Sequence, residues 1–281
     1  MKLEVVRPGF TTTVQDLGRP GHAALGVGRS GAADRGSFQL ANRLVGNEQG
    51  AAALEVTLGG LVLRALGLTT VAVTGAWCSV TAGGRAAGPN SPITLRAGEE
   101  LVLGMASTGL RCYVAVRGGI DVAPVLGSRA TDTLGKLGPP PLAAGMLLPV
   151  GSPGGFPVVD LAPRPALPDA PVLRVTPGPR RDWFASPDRL LSTVYTVSPD
   201  SDRVGIRLIG PPLERVRHDE LPSEACVPGS LQVPPSGRPI LFHADSPTTG
   251  GYPVIAVVEE DDLDLAAQLR PGQTVSFRPA S

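Results

Sequence analysis

The chain has 281 residues, and its 25 Lys+Arg balance 25 Asp+Glu, so no net positive field draws in nucleic acid or an anionic membrane. Aromatic residues are only 4% of the whole, which argues against a base-stacking platform. Glycine (36) and proline (30) are scattered between short apolar runs without a collagen-like period, as expected of turns punctuating many strands.

The N-terminal residues carry no signal-peptide apolar region and no stretch is long enough to span a bilayer, so a cytoplasmic location is expected. Strand-like runs begin at residues 3–6, which feed into Pro8-Gly9, and continue at 53–58, 60–64, 70–74, 100–103 and 112–117. Between them, Asp34 caps a predicted helix whose apolar face is Phe38, Leu40, Ala41, Leu44 and Val45, stopped by Gly46-Asn47. The strand rhythm resumes at 172–176, 194–197, 205–208, 239–242, 254–258 and 274–277. A second helix is predicted over 263–269, capped by Asp261 or Asp262 and stopped by Pro271-Gly272. The class is therefore mainly β, with barrels or sandwiches and few short helices.

A weak internal repeat is visible. Pro8-Gly9 is echoed by Pro177-Gly178, and the stretch 95–101 by 269–275, with a fainter copy at 142–148. Its physical content is a glycine turn feeding a strand. Residues 149–171 hold seven prolines in 23 positions, which suggests a semi-rigid linker. The expected organisation is an N-terminal β-barrel domain over 1–150, a proline-rich linker over 151–171 and a C-terminal barrel domain over 172–281.

Three loops concentrate chemistry. Gln15, Asp16 and Arg19 share a Gly/Pro-bounded turn; Arg19 can grip a carboxylate or phosphate, or close a local salt bridge with Asp16. Residues 26–31 match GxGxxG by letter, but no strand enters the loop directly and no βαβ alternation follows, so a dinucleotide site is not supported. Ser30 and Gly31 still stand just before a helix N-terminus, where backbone N–H groups can hold an anion; a tight turn capped by Asp34 is the alternative. The late loop, 245–252, brings Asp245, Thr248, Thr249, Gly250 and Tyr252 together after an apolar strand. His22, His218 and His243 lack metal-ligand spacing, so no metal site is expected. No GxSxG elbow or P-loop occurs. Cys78, Cys112 and Cys226 form no CxxC pair; Cys112, in the apolar run 111–116, and Cys78, directly after Trp77, read as buried small hydrophobes.

Taken together, these segments resemble the allophanate hydrolase subunit 2-like family, which includes KipA and the C subunits of bacterial 5-oxoprolinases. The resemblance runs through residues 8–21, Gly26-Val27, 30–32, Asp34, 40–47, 54–57, 116–122 and 126–132, and in the second half through 178–180, 210–213, Ser223-Glu224, 229–234 (with Gln232) and 248–252. Pro247 and Val254 depart from it, standing where Gln and Lys are expected.

The resemblance implies two cyclophilin-like β-barrel domains and a subunit active only in complex. Its partners would be a KipI-like B subunit and a LamB/YcsF-like A subunit, which together convert 5-oxo-L-proline to L-glutamate with ATP hydrolysis. It also implies substrate contacts at Gln15, Arg19, Ser30, Gly31, Gln232, Thr248, Thr249, Gly250 and Tyr252. Asp16, Asp34 and Asp245 are the candidate catalytic carboxylates, and ATP is shared with a partner subunit. Two alternatives follow from the same family: a component of a biotin-dependent urea carboxylase or allophanate hydrolase-type enzyme, and a KipA-like protein that sequesters a KipI-like histidine kinase inhibitor.

Overall fold

The computed structural model describes every residue except Val158, Arg164, Pro165 and Ser281. The chain divides into two compact units. The first comprises Met1–Arg19, Asp34–Asp132 and Lys136–Ala166; the second comprises Pro20–Ala33, Thr133–Gly135 and Leu167–Ser281. Part of the proline-rich segment thus belongs to the first unit, and three of its positions lie outside the described residues.

In the first unit, six strands are ordered Leu147–Pro149, Lys2–Pro8, Leu61–Ala65, Glu100–Leu103, Val80–Ala82 and Arg85–Ala87. Five more are ordered Thr11–Gln15, Ala53–Thr57, Thr108–Val116, Thr69–Trp77 and Pro92–Leu95. Both sheets turn alternate residues into one core that includes Leu3, Leu54, Leu63, Val73, Leu101 and Val114, as the period of two in a half-buried strand requires. Pro92 and Pro149 fall on edge strands, where the missing N–H leaves no ladder bond unmade.

Helix α1 (Arg35–Leu44) begins where the sequence predicts. Asp34 is extended, and its carboxylate accepts the Ser37 N–H at 2.8 Å. The helix buries Phe38, Ala41 and Leu44 and packs on strands Thr69–Trp77 and Thr108–Val116. Phe38 meets Tyr113 edge to face, with centroids 6.1 Å apart.

In the second unit, seven strands close a barrel in the order Val172–Pro177, Val254–Val258, Ser230–Gln232, Ile240–Phe242, Gly205–Ile209, Tyr195–Val197 and Thr274–Pro279. A parallel pairing of Val172–Pro177 with Thr274–Pro279 completes the circuit. Leu173, Tyr195, Leu231, Leu241, Ile255 and Phe277 fill the interior. The second predicted helix is shorter than expected: a 3-10 turn, Glu260–Asp262, leads into Leu263–Ala266. Asp262 does not cap it, because Arg174 takes that carboxylate through its backbone N–H at 2.6 Å and its guanidinium at 2.8 Å. A further short helix, Arg189–Ser192, has no counterpart among the predicted elements.

The repeat resolves into one turn used three times. Arg96, Ala143 and Arg270 each accept the N–H three residues on, at 3.0, 3.2 and 3.0 Å. In each turn the intervening glycine (Gly98, Gly145 or Gly272) sits at φ 83–84° and a strand follows directly. Among the described residues, no helix is long and apolar enough to cross a membrane.

Candidate functional site

In the first unit, the opening turn is clamped to the loop at 121–132. Gln15, at the end of its strand, is fully buried and donates to the Thr13 hydroxyl and the Thr131 carbonyl, both at 3.0 Å. Asp16 accepts from the Ser128 hydroxyl at 2.6 Å, the Gly18 N–H at 2.7 Å and the Arg129 N–H at 2.5 Å. Arg19 is buried, donates to the Ala130 carbonyl at 2.5 Å and stands 3.7 Å from the Asp132 carboxylate. The local Asp16–Arg19 bridge is thus replaced by two longer-range attachments. Both side chains are buried against the 121–132 loop, which offers Asp16 a hydroxyl and a backbone N–H and offers Arg19 a carbonyl and a carboxylate.

Asp34 is an N-cap twice over, since its second oxygen accepts the Ser37 hydroxyl at 2.6 Å. Its backbone N–H donates to the Tyr113 hydroxyl at 2.8 Å, which donates in turn to Glu55 at 2.8 Å. Burial first, and the nearby Glu55 and Asp34 charges next, push the Tyr113 phenol well above its ordinary range.

In the second unit, Asp245 is the hub of a buried knot. Its oxygens accept from Arg203 Nε at 2.9 Å, Arg203 Nη2 at 3.1 Å, Ser30 Oγ at 2.6 Å, Thr133 N at 2.9 Å and Thr133 Oγ1 at 2.7 Å. Arg203 also donates to the Gly31 carbonyl at 2.7 Å. Ser30 and Gly31 therefore use a hydroxyl and a carbonyl to hold their own loop in place, at positive φ of 54° and 97°. Burial alone would raise the Asp245 pKa, but the Arg203 charge and the hydrogen bonds from Arg203, Ser30 and Thr133 outweigh it and hold the carboxyl below its ordinary value.

The late loop carries the more open chemistry. Thr249 and Gly250 pair with Ala225 and Glu224 in a two-stranded ladder, and the Thr248 carbonyl accepts the Cys226 N–H at 2.9 Å. Gln232 lies buried beneath and donates to the Tyr252 carbonyl at 2.9 Å. A side chain at position 250 would meet the ends of the Gln232 and Cys226 side chains, which would have to shift to admit it. Arg180 forms a bidentate pair with Glu224 beside this ladder, and Arg215 lies over the half-exposed Tyr252 ring at 5.9 Å. Burial lowers the Arg215 pKa from its ordinary value.

The three candidate carboxylates, Asp16, Asp34 and Asp245, are all hydrogen-bonded anchors of a loop or a helix end in this structure. Thr249 and Tyr252 are exposed, whereas Gln15, Arg19 and Gln232 are buried behind their loops. Arg203, Thr133 and Arg215 carry no local sequence signal that marks them out. Arg180 and Glu224 lie within the family-like segments, but only the fold shows that they pair.

Residues 25–279 match the family model described as "Carboxyltransferase domain, subdomain A and B". The chain belongs to this family. It is 38% identical to the C subunit of the 5-oxoprolinase of Escherichia coli (strain K12), over 98% of this chain and 90% of that protein. It is 34% identical to the urea amidolyase of Lachancea kluyveri over 99% of this chain, but that covers only 17% of the amidolyase. Among solved structures it superposes on TTHA0988 with a TM-score of 0.89 at 38% identity, covering 99% of this chain and 55% of that one. The chain therefore spans about half the length of TTHA0988. Val254, where the resemblance sets up the expectation of a lysine, is buried in the barrel wall, so this position offers no anion contact.

Proposed function

We propose that this chain is the C subunit of an ATP-dependent 5-oxoprolinase, a cytoplasmic hydrolase that opens 5-oxo-L-proline to L-glutamate. It would act only with a KipI-like B subunit and a LamB/YcsF-like A subunit. The observation that carries this reading is the match to a 5-oxoprolinase C subunit along nearly the full length of both proteins.

The chemistry suits a divided enzyme. An unstrained lactam is a poor electrophile, and phosphorylating its oxygen makes the carbonyl carbon open to water. That step calls for N–H donors and cations around developing negative charge. On this chain we assign substrate contact to the late loop, with Thr248, Thr249, Gly250, Tyr252 and the adjoining Arg215. Gln232 supports the loop from below, and the Asp245 knot positions Ser30 and Gly31. The Arg180 guanidinium beside the loop is already neutralised by Glu224. This supports an ATP site shared with a partner subunit rather than one built by this chain alone.

The test is reconstitution. Purified A and B subunits with ATP and 5-oxoproline should release glutamate and ADP only when this chain is added, and this chain alone should give no turnover. Equal turnover without it would overturn the assignment. The amidolyase likeness supports a second reading, a carboxyltransferase component; avidin-sensitive urea carboxylation with a biotin carboxylase and a biotinyl carrier would establish it instead.

A further inference from the structure

All three cysteines are reduced, and two of them meet in the core of the first unit. Cys78 follows directly on the strand Thr69–Trp77, and Cys112 lies within Thr108–Val116. These strands pair with Thr108 opposite Trp77 and Cys112 opposite Gly75, so residues 109–111 of one face the single residue Ala76 of the other. This bulge turns Cys112 toward the end of its neighbour. Its Sγ lies 3.5 Å from the Ala76 carbonyl and 3.7 Å from the Cys78 Sγ. The approach depends on Gly75, at φ 91°, because a Cβ there would run into the Arg111 carbonyl.

Buried cysteines commonly act as small hydrophobes, but these two sulfurs already lie 3.7 Å apart, and a disulfide requires them to be drawn together to about 2.05 Å. We infer that Cys78 and Cys112 form an oxidative modification site, a dithiol that a small hydroperoxide closes to a disulfide. Cys78 is the attacking sulfur. The hydrogen bond from Cys112 holds its thiol below the ordinary value in spite of burial, which favours the thiolate.

In the first step the Cys78 thiolate attacks a peroxide oxygen and the O–O bond breaks. Hydroxide leaves and Cys78 becomes a sulfenic acid, so sulfur is oxidised as the peroxide is reduced. In the second step the Cys112 sulfur displaces the sulfenic oxygen. The S–S bond forms, the S–O bond breaks, and water leaves with the Cys112 proton. With hydrogen peroxide, two thiols and one peroxide give one disulfide and two waters. Cys78 is only 4% exposed, which restricts the reaction to small oxidants. Cys226 belongs to the second unit, is more exposed, and serves as an internal control. The product would bridge positions 34 residues apart and constrain the unfolded chain, raising the melting temperature reversibly with reductant.

The experiment treats the native chain with hydrogen peroxide and then counts thiols after unfolding. The expected result is a fall from three thiols to one, loss of two hydrogens in intact mass, and a Cys78–Cys112 linked pair in the peptide map. A raised melting temperature that dithiothreitol reverses should accompany it. Cys226→Ser should react in the same way, whereas Cys112→Ser should stop at a sulfenic acid on Cys78 that a dimedone-type reagent traps. Should Cys112→Ser fail to fold, the wild-type peptide map and Cys226→Ser decide the matter. Three titratable thiols after treatment, or oxidation or linkage centred on Cys226, would overturn the inference.

Discussion

Asp16 in the first unit and Asp245 in the second are both buried carboxylates that tie a glycine-rich loop to a strand-built body, yet they are satisfied in different ways. Asp16 is held by a hydroxyl and two backbone N–H groups. Asp245 is held by a guanidinium, two hydroxyls and one backbone N–H. Dipoles from a nearby loop suffice where donors are aimed from several sides. Where the carboxylate sits among three distant segments, a full counter-charge has been built in. The two designs should therefore fail differently when one partner is removed.

The largest effect is expected at Arg203. Arg203→Ala leaves Asp245 as a buried carboxylate without its cation, and breaking a buried pair in this way typically costs about 3–5 kcal/mol. Urea unfolding should show the loss as a lowered midpoint. Arg203→Lys should fall between, because an ammonium cannot reproduce the two-point contact with Asp245 and the bond to the Gly31 carbonyl together. Replacing both partners, Arg203→Met with Asp245→Leu, should cost less than Arg203→Ala alone. A single variant losing no more than a surface pair would mean that water reaches the knot.

A smaller effect is expected at Asp16. Asp16→Ala deprives the Ser128 hydroxyl and the Gly18 and Arg129 N–H groups of their acceptor, but two of these donors are only partly buried and water can replace part of what is lost. A cost of about 1–3 kcal/mol is expected, measured by the same urea titration. A loss at Asp16 as large as that at Arg203→Ala would erase the distinction between the two anchors.

What can be read from sequence divides along the same line. The Asp34 cap is legible because its partner, Ser37, lies three residues away on the same first turn. The long apolar strands and the mainly β class follow from alternation and turn residues. Two- and three-residue strands such as Thr249–Gly250 and Ser230–Gln232 are too short to show a period, so the late ladder leaves no sequence signature. The partners of Asp16 and Asp245 are hidden for a different reason. Ser128 is 112 positions from Asp16, and Arg203 is 42 positions from Asp245. Only the closing of the fold brings them together, so the nearest opposite charge in sequence, Arg19 beside Asp16, is a misleading guide. The same distance effect makes these anchors look like candidate acids and bases, because a buried carboxylate in a glycine-rich loop carries the same local signature in either role.

The last test isolates the charge of Asp245 from its shape, and its signal lies in the acid slope of stability. Its carboxyl is held below the ordinary aspartate value near 3.8, chiefly by Arg203 once the opposing effect of burial is counted. A depressed folded-state pKa means that the unfolded chain binds a proton first as pH falls. The stabilisation from this group is therefore full above the ordinary value, declines as the unfolded aspartate protonates, and is gone below the folded-state pKa. Plotted against pH in acid, the unfolding free energy of the wild type should fall more steeply than that of Asp245→Asn, whose amide does not titrate. Only the slopes are compared, since Asp245→Asn also leaves Arg203 without its counter-charge and lowers the whole curve. Parallel curves would show that the Asp245 carboxyl titrates alike in the folded and unfolded chain, and that the Arg203 contact contributes geometry without charge stabilisation.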